Sequence, residues 1–89
     1  LYSASMLPTN ITDITIYPNP TGNILNIDLS SVQEVVKISI YDLTGREVMY
    51  NEYKNKSNFD FSMAHLENGL YYIKVTTKNH VEYFKVEKK

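Results

Sequence analysis

The chain has 89 residues, no cysteine and a formal net charge of −1. This length predicts one domain, the lack of cysteine excludes a disulfide scaffold and thiolate metal sites, and the balanced charge disfavours nucleic acid as a partner. Every apolar run is shorter than the roughly 18–20 residues of a membrane span. The chain opens on Leu1 and not on methionine, which predicts that it is a fragment of a longer protein. Its first residues include no basic segment followed by an apolar one, so we expect no signal peptide within this chain.

Residues 1–12 lack any hydrophobic alternation and contain Pro8, so we interpret them as a linker that precedes a domain over residues 13–89. Ile14 and Ile16 alternate with polar residues and predict a first short strand. That strand should end at Pro18-Asn19-Pro20, because proline has no N–H to donate to a strand ladder.

Two further alternating segments follow, each with a clean apolar face. Leu25, Ile27 and Leu29 predict a second strand that ends at Ser30-Ser31. A third strand carries Val36, Ile38 and Ile40. Residues 42–46 read as a turn, since aspartate bonds its own backbone and Gly45 suits the left-handed position, and a fourth strand with Val48 and Tyr50 completes a hairpin.

The next stretch alternates less regularly. Residues 51–58 are polar and predict an exposed edge or loop, whereas Phe59 and Phe61 should both be buried. Ser62 can cap a single helical turn that places Met63 and Leu66 on one side.

Residues 69–77 form the strongest strand signal and predict the central strand. The buried face should carry Tyr71, Ile73 and Val75, and Gly69 allows a tight corner just before it. Lys78-Asn79-His80 predicts a hairpin turn. The last strand should run from Val81 to Val86 with Phe84 and Val86 inward, which leaves Lys88 and Lys89 beyond the last inward residue.

The pattern of about seven short antiparallel strands without a useful helix predicts an all-β, immunoglobulin-like two-sheet sandwich, with a small barrel as the alternative. The apolar alternation is complete in one chain, so we expect a monomer. His65 and His80 lack a third ligand, and no nucleophile motif is present, so we expect no metal, no cofactor and no catalytic activity.

Several short motifs occur in a characteristic order. They are Tyr17-Pro18-Asn19-Pro20, Leu25 with Ile27, the stretch from Ile38 to Val48 that contains Leu43-Thr44-Gly45-Arg46, Phe61-Ser62 to Leu66, Gly69-Leu70-Tyr71, and a terminal hairpin with Lys85. Together they resemble the type A C-terminal sorting domain of the type IX secretion system, also called the Por secretion system, of Bacteroidota.

The resemblance implies a secretion signal at the end of an exported protein. Such a domain carries its cargo through an outer-membrane translocon to the cell surface or medium, and a surface sortase then removes it. Cleavage would fall upstream of Ile14. The residues that match the family's motifs or its terminal basic segment are Pro18, Asn19, Pro20, Gly45, Arg46, Gly69, Tyr71, Lys85, Val86, Lys88 and Lys89.

Two other functions remain open from the residues alone. The first is an accessory sandwich that binds carbohydrate or protein at the cell surface through exposed tyrosines such as Tyr41, Tyr72 and Tyr83. The second is a structural spacer between other domains. Chain position separates them, because a sorting domain ends its parent polypeptide.

Overall fold

A computed structural model describes residues 14–78 and 80–89. The predicted linker, residues 1–12, and Asn79 of the predicted hairpin turn lie outside these described residues. The strands are β1 (Ile14–Tyr17), β2 (Ile24–Tyr41), β3 (Glu47–Ser62), β4 (Gly69–Thr77) and β5 (His80–Lys88), and no helix occurs among the described residues.

All pairings between these strands are antiparallel, and β2 is the strand that joins the layers. The first half of β2 pairs with β1 on one side and the second half of β3 on the other. The second half of β2 pairs with the first half of β3 and with β4, and β5 adds to β4. The sheet therefore curls into a three-stranded layer and a four-stranded layer that enclose one core.

The predicted strands two and three are one continuous strand, which corrects the expected end at Ser30-Ser31. The ladder between β2 and β3 shifts register between Asp28 and Gln33, where β2 has more intervening residues than β3. Such a bulge bends a strand without ending it. The two long strands β2 and β3 each serve both layers, so their halves account for the larger strand number that the alternation predicts.

The core consists of the alternate residues predicted to face inward. Leu25, Ile27, Ile38, Ile40, Ile73 and Val75 are each at most 1% exposed, and Phe59 and Phe61 are each 5% exposed. Residues 51–58 belong to the edge strand β3, so the prediction of an exposed edge is confirmed and the alternative of a loop is wrong. Met63 is fully buried in a single hydrogen-bonded turn, in which the Leu66 N–H donates to the Met63 carbonyl.

Candidate functional site

Residues 18–21, which we name the clasp, lie along the outer edge of the end of β5. The Thr21 N–H donates to the Glu87 carbonyl at 2.8 Å, and the Lys89 N–H donates to the Thr21 carbonyl at 2.9 Å. Thr21 forms a parallel bridge with Lys88 and is buried. This part of the edge of β5 is therefore covered by the chain itself.

The Asn19 side chain completes the clasp. Its Nδ2 donates to the Lys85 carbonyl and its Oδ1 accepts from the Glu87 N–H, both at 3.1 Å. The flanking prolines have no N–H, so their backbones cannot supply a donor here. A side-chain amide has both a donor and an acceptor and thus replaces a strand residue beside β5.

The other edge of the same strand segment pairs with the start of β4. Gly69 pairs with Lys88, and Tyr71 pairs with Val86. Gly69 has a φ of 149°, a region that L residues rarely adopt, so the glycine is required by backbone angle. The Tyr71 hydroxyl donates to the Glu67 carbonyl at 2.6 Å, which ties β4 to the preceding loop.

Lys88 corrects the prediction that the inward series ends at Val86. The alternation of β5 continues through Val86 to Lys88, and Lys88 is only 7% exposed. Its Nζ donates to Asn68 Oδ1 at 3.3 Å. A lysine can bury its aliphatic stem in this way when its ammonium group finds a polar partner, so Lys88 belongs to the packed structure, whereas Lys89 is exposed.

The turn over residues 42–46 is organised by one carboxylate. Asp42 Oδ1 accepts from the Thr44 hydroxyl at 2.6 Å and from the N–H groups of Thr44 and Arg46, and Oδ2 lies 3.2 Å from Arg46 Nε. The Thr44 hydroxyl first, then the Arg46 and Thr44 N–H groups, hold the pKa of Asp42 below its ordinary value. Gly45 has a φ of 89°, so it is needed for the turn.

All eleven predicted motif residues lie at one end of the sandwich, which we name the motif end. Tyr41 pairs with Tyr72, so the turn that follows Tyr41 adjoins the start of β4. A groove of about 320 Å³ between them is lined in part by Arg46, His65 and Tyr71. The start of β4 in turn pairs with the end of β5, and the clasp covers that end.

Two residues of the motif end bind the C-terminal lysines, and the sequence alone does not predict these contacts. Thr21 follows the proline motif, and Asn68 precedes the turn glycine Gly69. Their contacts reach Lys89 and Lys88, which are 68 and 20 positions away. Neither spacing carries a local signal, so only the fold brings them together.

The side chains of the motif end and of the two histidines show what chemistry the domain can support. Within the described ranges, no three side chains of the histidine, aspartate or glutamate type converge as a metal would require. His80 Nε2 lies 2.8 Å from Glu82 Oε1 on the same strand, while His65 lines the groove at the motif end. The part of the chain that the structure describes also holds no helix that is long and apolar enough to cross a membrane.

The chain is similar to proteins of known sequence and structure. Residues 15–89 match the family described as "Secretion system C-terminal sorting domain". An endo-acting ulvan lyase of Formosa agariphila is 27% identical over 73 residues, which are 82% of this chain and 14% of the lyase. A DUF3244 family protein of Bacteroides vulgatus, an immunoglobulin-like β-sandwich, superimposes with a TM-score of 0.67 at 20% identity and covers 81% of this chain and 82% of its own. The predicted all-β, immunoglobulin-like fold is thereby confirmed.

Proposed function

Because this chain belongs to the family of secretion-system C-terminal sorting domains, we propose that it directs a longer cargo protein across the outer membrane through the type IX translocon. The observation that carries the proposal is the family match over residues 15–89, nearly the whole chain. The family is a sorting signal and is not itself catalytic. The ulvan lyase relative, of which the chain spans 14%, has the size relation expected of a large cargo and a small signal domain.

The finer steps follow from the same proposal. The cargo precedes the domain in one polypeptide, residues 1–12 connect the two, and residues 13–89 are the sorting unit. The translocon binds the motif end, and a surface sortase then cuts upstream of Ile14, which leaves the cargo at the cell surface or in the medium. The motif end is supported as the docking region because it gathers the eleven motif residues, and the side chains of Arg46 and Lys89 are exposed there.

A fusion experiment tests export. Residues 10–89 are placed behind a reporter that carries a signal peptide, in a host with a type IX translocon and in a mutant of that host without it. We expect reporter at the surface or in the medium of the first strain and in the periplasm of the second. Equal export from both strains would contradict the proposal.

A charge reversal tests docking at the motif end. Lys88 is unsuitable because it is buried, so the variant is Lys85→Glu with Lys89→Glu, both of which are exposed. The matched control is Lys54→Glu with Lys78→Glu, two exposed lysines at the other end. Exposed changes alter stability by about 0.5 kcal/mol or less. We expect export to fall only in the first variant while both melting curves stay close to the parent's, and an equal fall in both would remove the motif end as the docking region.

A further inference from the structure

The outer surface of the four-stranded layer carries one tyrosine from each strand. Tyr50 comes from β3, Tyr41 from β2, Tyr72 from β4 and Tyr83 from β5, each opposite in alternation to the core residues of its strand. Lys37, Lys74 and Lys85 share this surface. We name these seven residues the tyrosine face.

Register places these side chains in two rows across the strands. Tyr50 pairs with Ser39, Ser39 with Lys74, and Lys74 with Tyr83. With strands about 4.8 Å apart, this row extends roughly 14 Å. Ser39 is small and buried between larger neighbours, so the row dips at its centre. The second row is Tyr41, Tyr72 and Lys85.

Large apolar and aromatic side chains are exposed together on this outer surface. Tyr72 is 42% exposed and Tyr83 is 61% exposed, and Leu70 and Val81 extend the patch on the same side. Lys74 Nζ lies 5.9 Å from the centroid of the Tyr83 ring, close enough for a cation–π contact. A contiguous exposed apolar patch can mark an interaction site.

Charge is divided between the two outer surfaces of the sandwich. The outer surface of the four-stranded layer presents Lys37, Lys54, Lys74 and Lys85 against Glu47, Glu52 and Glu87. The three-stranded layer presents Asp28 and Asp60 with Lys56, in a cleft also lined by Tyr17. The whole chain has a net charge of −1. The outer surface of the four-stranded layer has an excess of one positive charge, and the seven residues of the tyrosine face include three lysines and no carboxylate.

We propose that the tyrosine face binds an acidic polysaccharide. Tyrosine rings can pack against sugar rings, and the lysine ammonium groups can form charge-assisted hydrogen bonds with carboxylate or sulfate groups of the sugar. Lysine is depleted in the cores of protein–protein interfaces, so Lys74 at the centre of the face disfavours a protein partner.

Affinity electrophoresis of the purified chain tests this binding. The gels contain dextran sulfate, polygalacturonate or uncharged dextran, and two further gels contain poly-glutamate or oligothymidylate. We expect retardation by dextran sulfate or polygalacturonate, none by dextran, and weaker retardation by the last two. The polyuronate and the sulfated polymer together identify which acidic group is preferred.

Matched variants locate the binding surface. Lys74→Ala on the face is compared with Lys78→Ala outside it, which changes net charge equally. Tyr72→Ala is compared with Tyr17→Ala on the opposite surface, since both tyrosines are 42% exposed. We expect the dissociation constant to rise about tenfold in each face variant, as for one lost charge-assisted bond or ring contact, and to stay within about twofold in each control.

Several results would overturn the inference. They are equal binding to dextran, equal or tighter binding to poly-glutamate or oligothymidylate, an equal loss in the control variants, or no retardation in any gel. Sedimentation provides a separate check, because a dimer that Tyr83→Ala dissociates would make the face a contact between copies of this chain. The experiment does not depend on export, so its failure is distinguishable from a failure of the proposed function.

Discussion

The two ends of the sandwich are held together in different ways. At the motif end, side chains bond to backbone groups far away in sequence, as Asn19 does with the Lys85 carbonyl and the Glu87 N–H. At the opposite end, which we name the bulge end, the described residues include contacts that are local or weak. Gln33 donates to the Ser31 hydroxyl two residues away, and Lys78 lies 3.9 Å from Glu34 with both side chains more than 70% exposed.

This difference explains why short motifs occur where they do. A loop that is fixed through a particular amide, carboxylate or glycine tolerates few residue types, whereas an exposed bulge tolerates many. Asn19, Asp42 and Gly69 are of the first kind, and Val32, which is 63% exposed in the bulge, is of the second. A substitution of one of these fixed residues at the motif end should therefore cost more stability than a substitution of an exposed residue at the bulge end.

The largest contrast is expected between two apolar truncations. Met63→Ala removes a fully buried side chain at the motif end and should cost about 2–5 kcal/mol, because the cavity remains. Val32→Ala at the bulge end should change stability by no more than about 0.5 kcal/mol. Urea unfolding of both variants measures the difference. Similar urea midpoints for the two variants would contradict the expected difference in stability between the two ends.

A smaller contrast is expected between two polar truncations. Asn19→Ala removes both side-chain bonds of the clasp and should cost roughly 1–3 kcal/mol, at about 1 kcal/mol per bond with some penalty for the groups left unpaired. Lys78→Ala breaks only an exposed ion pair and should cost about 0–0.5 kcal/mol. Hydrogen exchange adds local resolution, because the Glu87 amide should exchange faster in the Asn19 variant alone. Unchanged exchange there would show that the clasp does not hold β5.

The smallest effect is a dependence on pH at the turn of the motif end. Since the pKa of Asp42 is lowered on folding from an ordinary 3.8, the carboxylate stabilises the fold above that pH and ceases to do so as the pH falls through the folded-state pKa. Asp42→Asn should thus be less stable than the parent at neutral pH, and the two unfolding curves should converge in acid. A gap that stays constant with pH would assign the effect to packing.

Much of the fold could be predicted from the sequence because it depends on alternation alone. Ile14, Ile27, Ile38 and Ile73 lie on the faces that period-two spacing assigns to them. The predicted strand end at Ser30-Ser31 was wrong because polar residues occur at a bulge as readily as at the end of a strand. The prediction for Lys88 was wrong because a lysine is usually exposed, whereas its position in the alternation of β5 points it inward.

The resemblance singles out the motif residues, whose role remains a prediction, and it gives none of their contacts. The resemblance named Asn19, whereas its bonds to Lys85 and Glu87 span 66 and 68 positions and follow no local spacing. The turn at Asp42 is the opposite case, since its bonds reach only Thr44 and Arg46 and an aspartate before a glycine turn predicts them. At the motif end, the sequence therefore predicts those hydrogen-bond partners that lie within a few residues of each other.

The clasp joins parts of the domain that are far apart in the sequence. Its bonds join residue 19 to residues 85 and 87, almost the full length of the described chain. Closing so long a loop is entropically costly, and contacts of high sequence separation slow folding. A nascent chain that has not yet emerged past Val86 lacks both the clasp's partner strand and a core residue that is 1% exposed. Folding of this domain therefore requires synthesis to have passed Val86, since a polypeptide that ends earlier cannot close the sandwich.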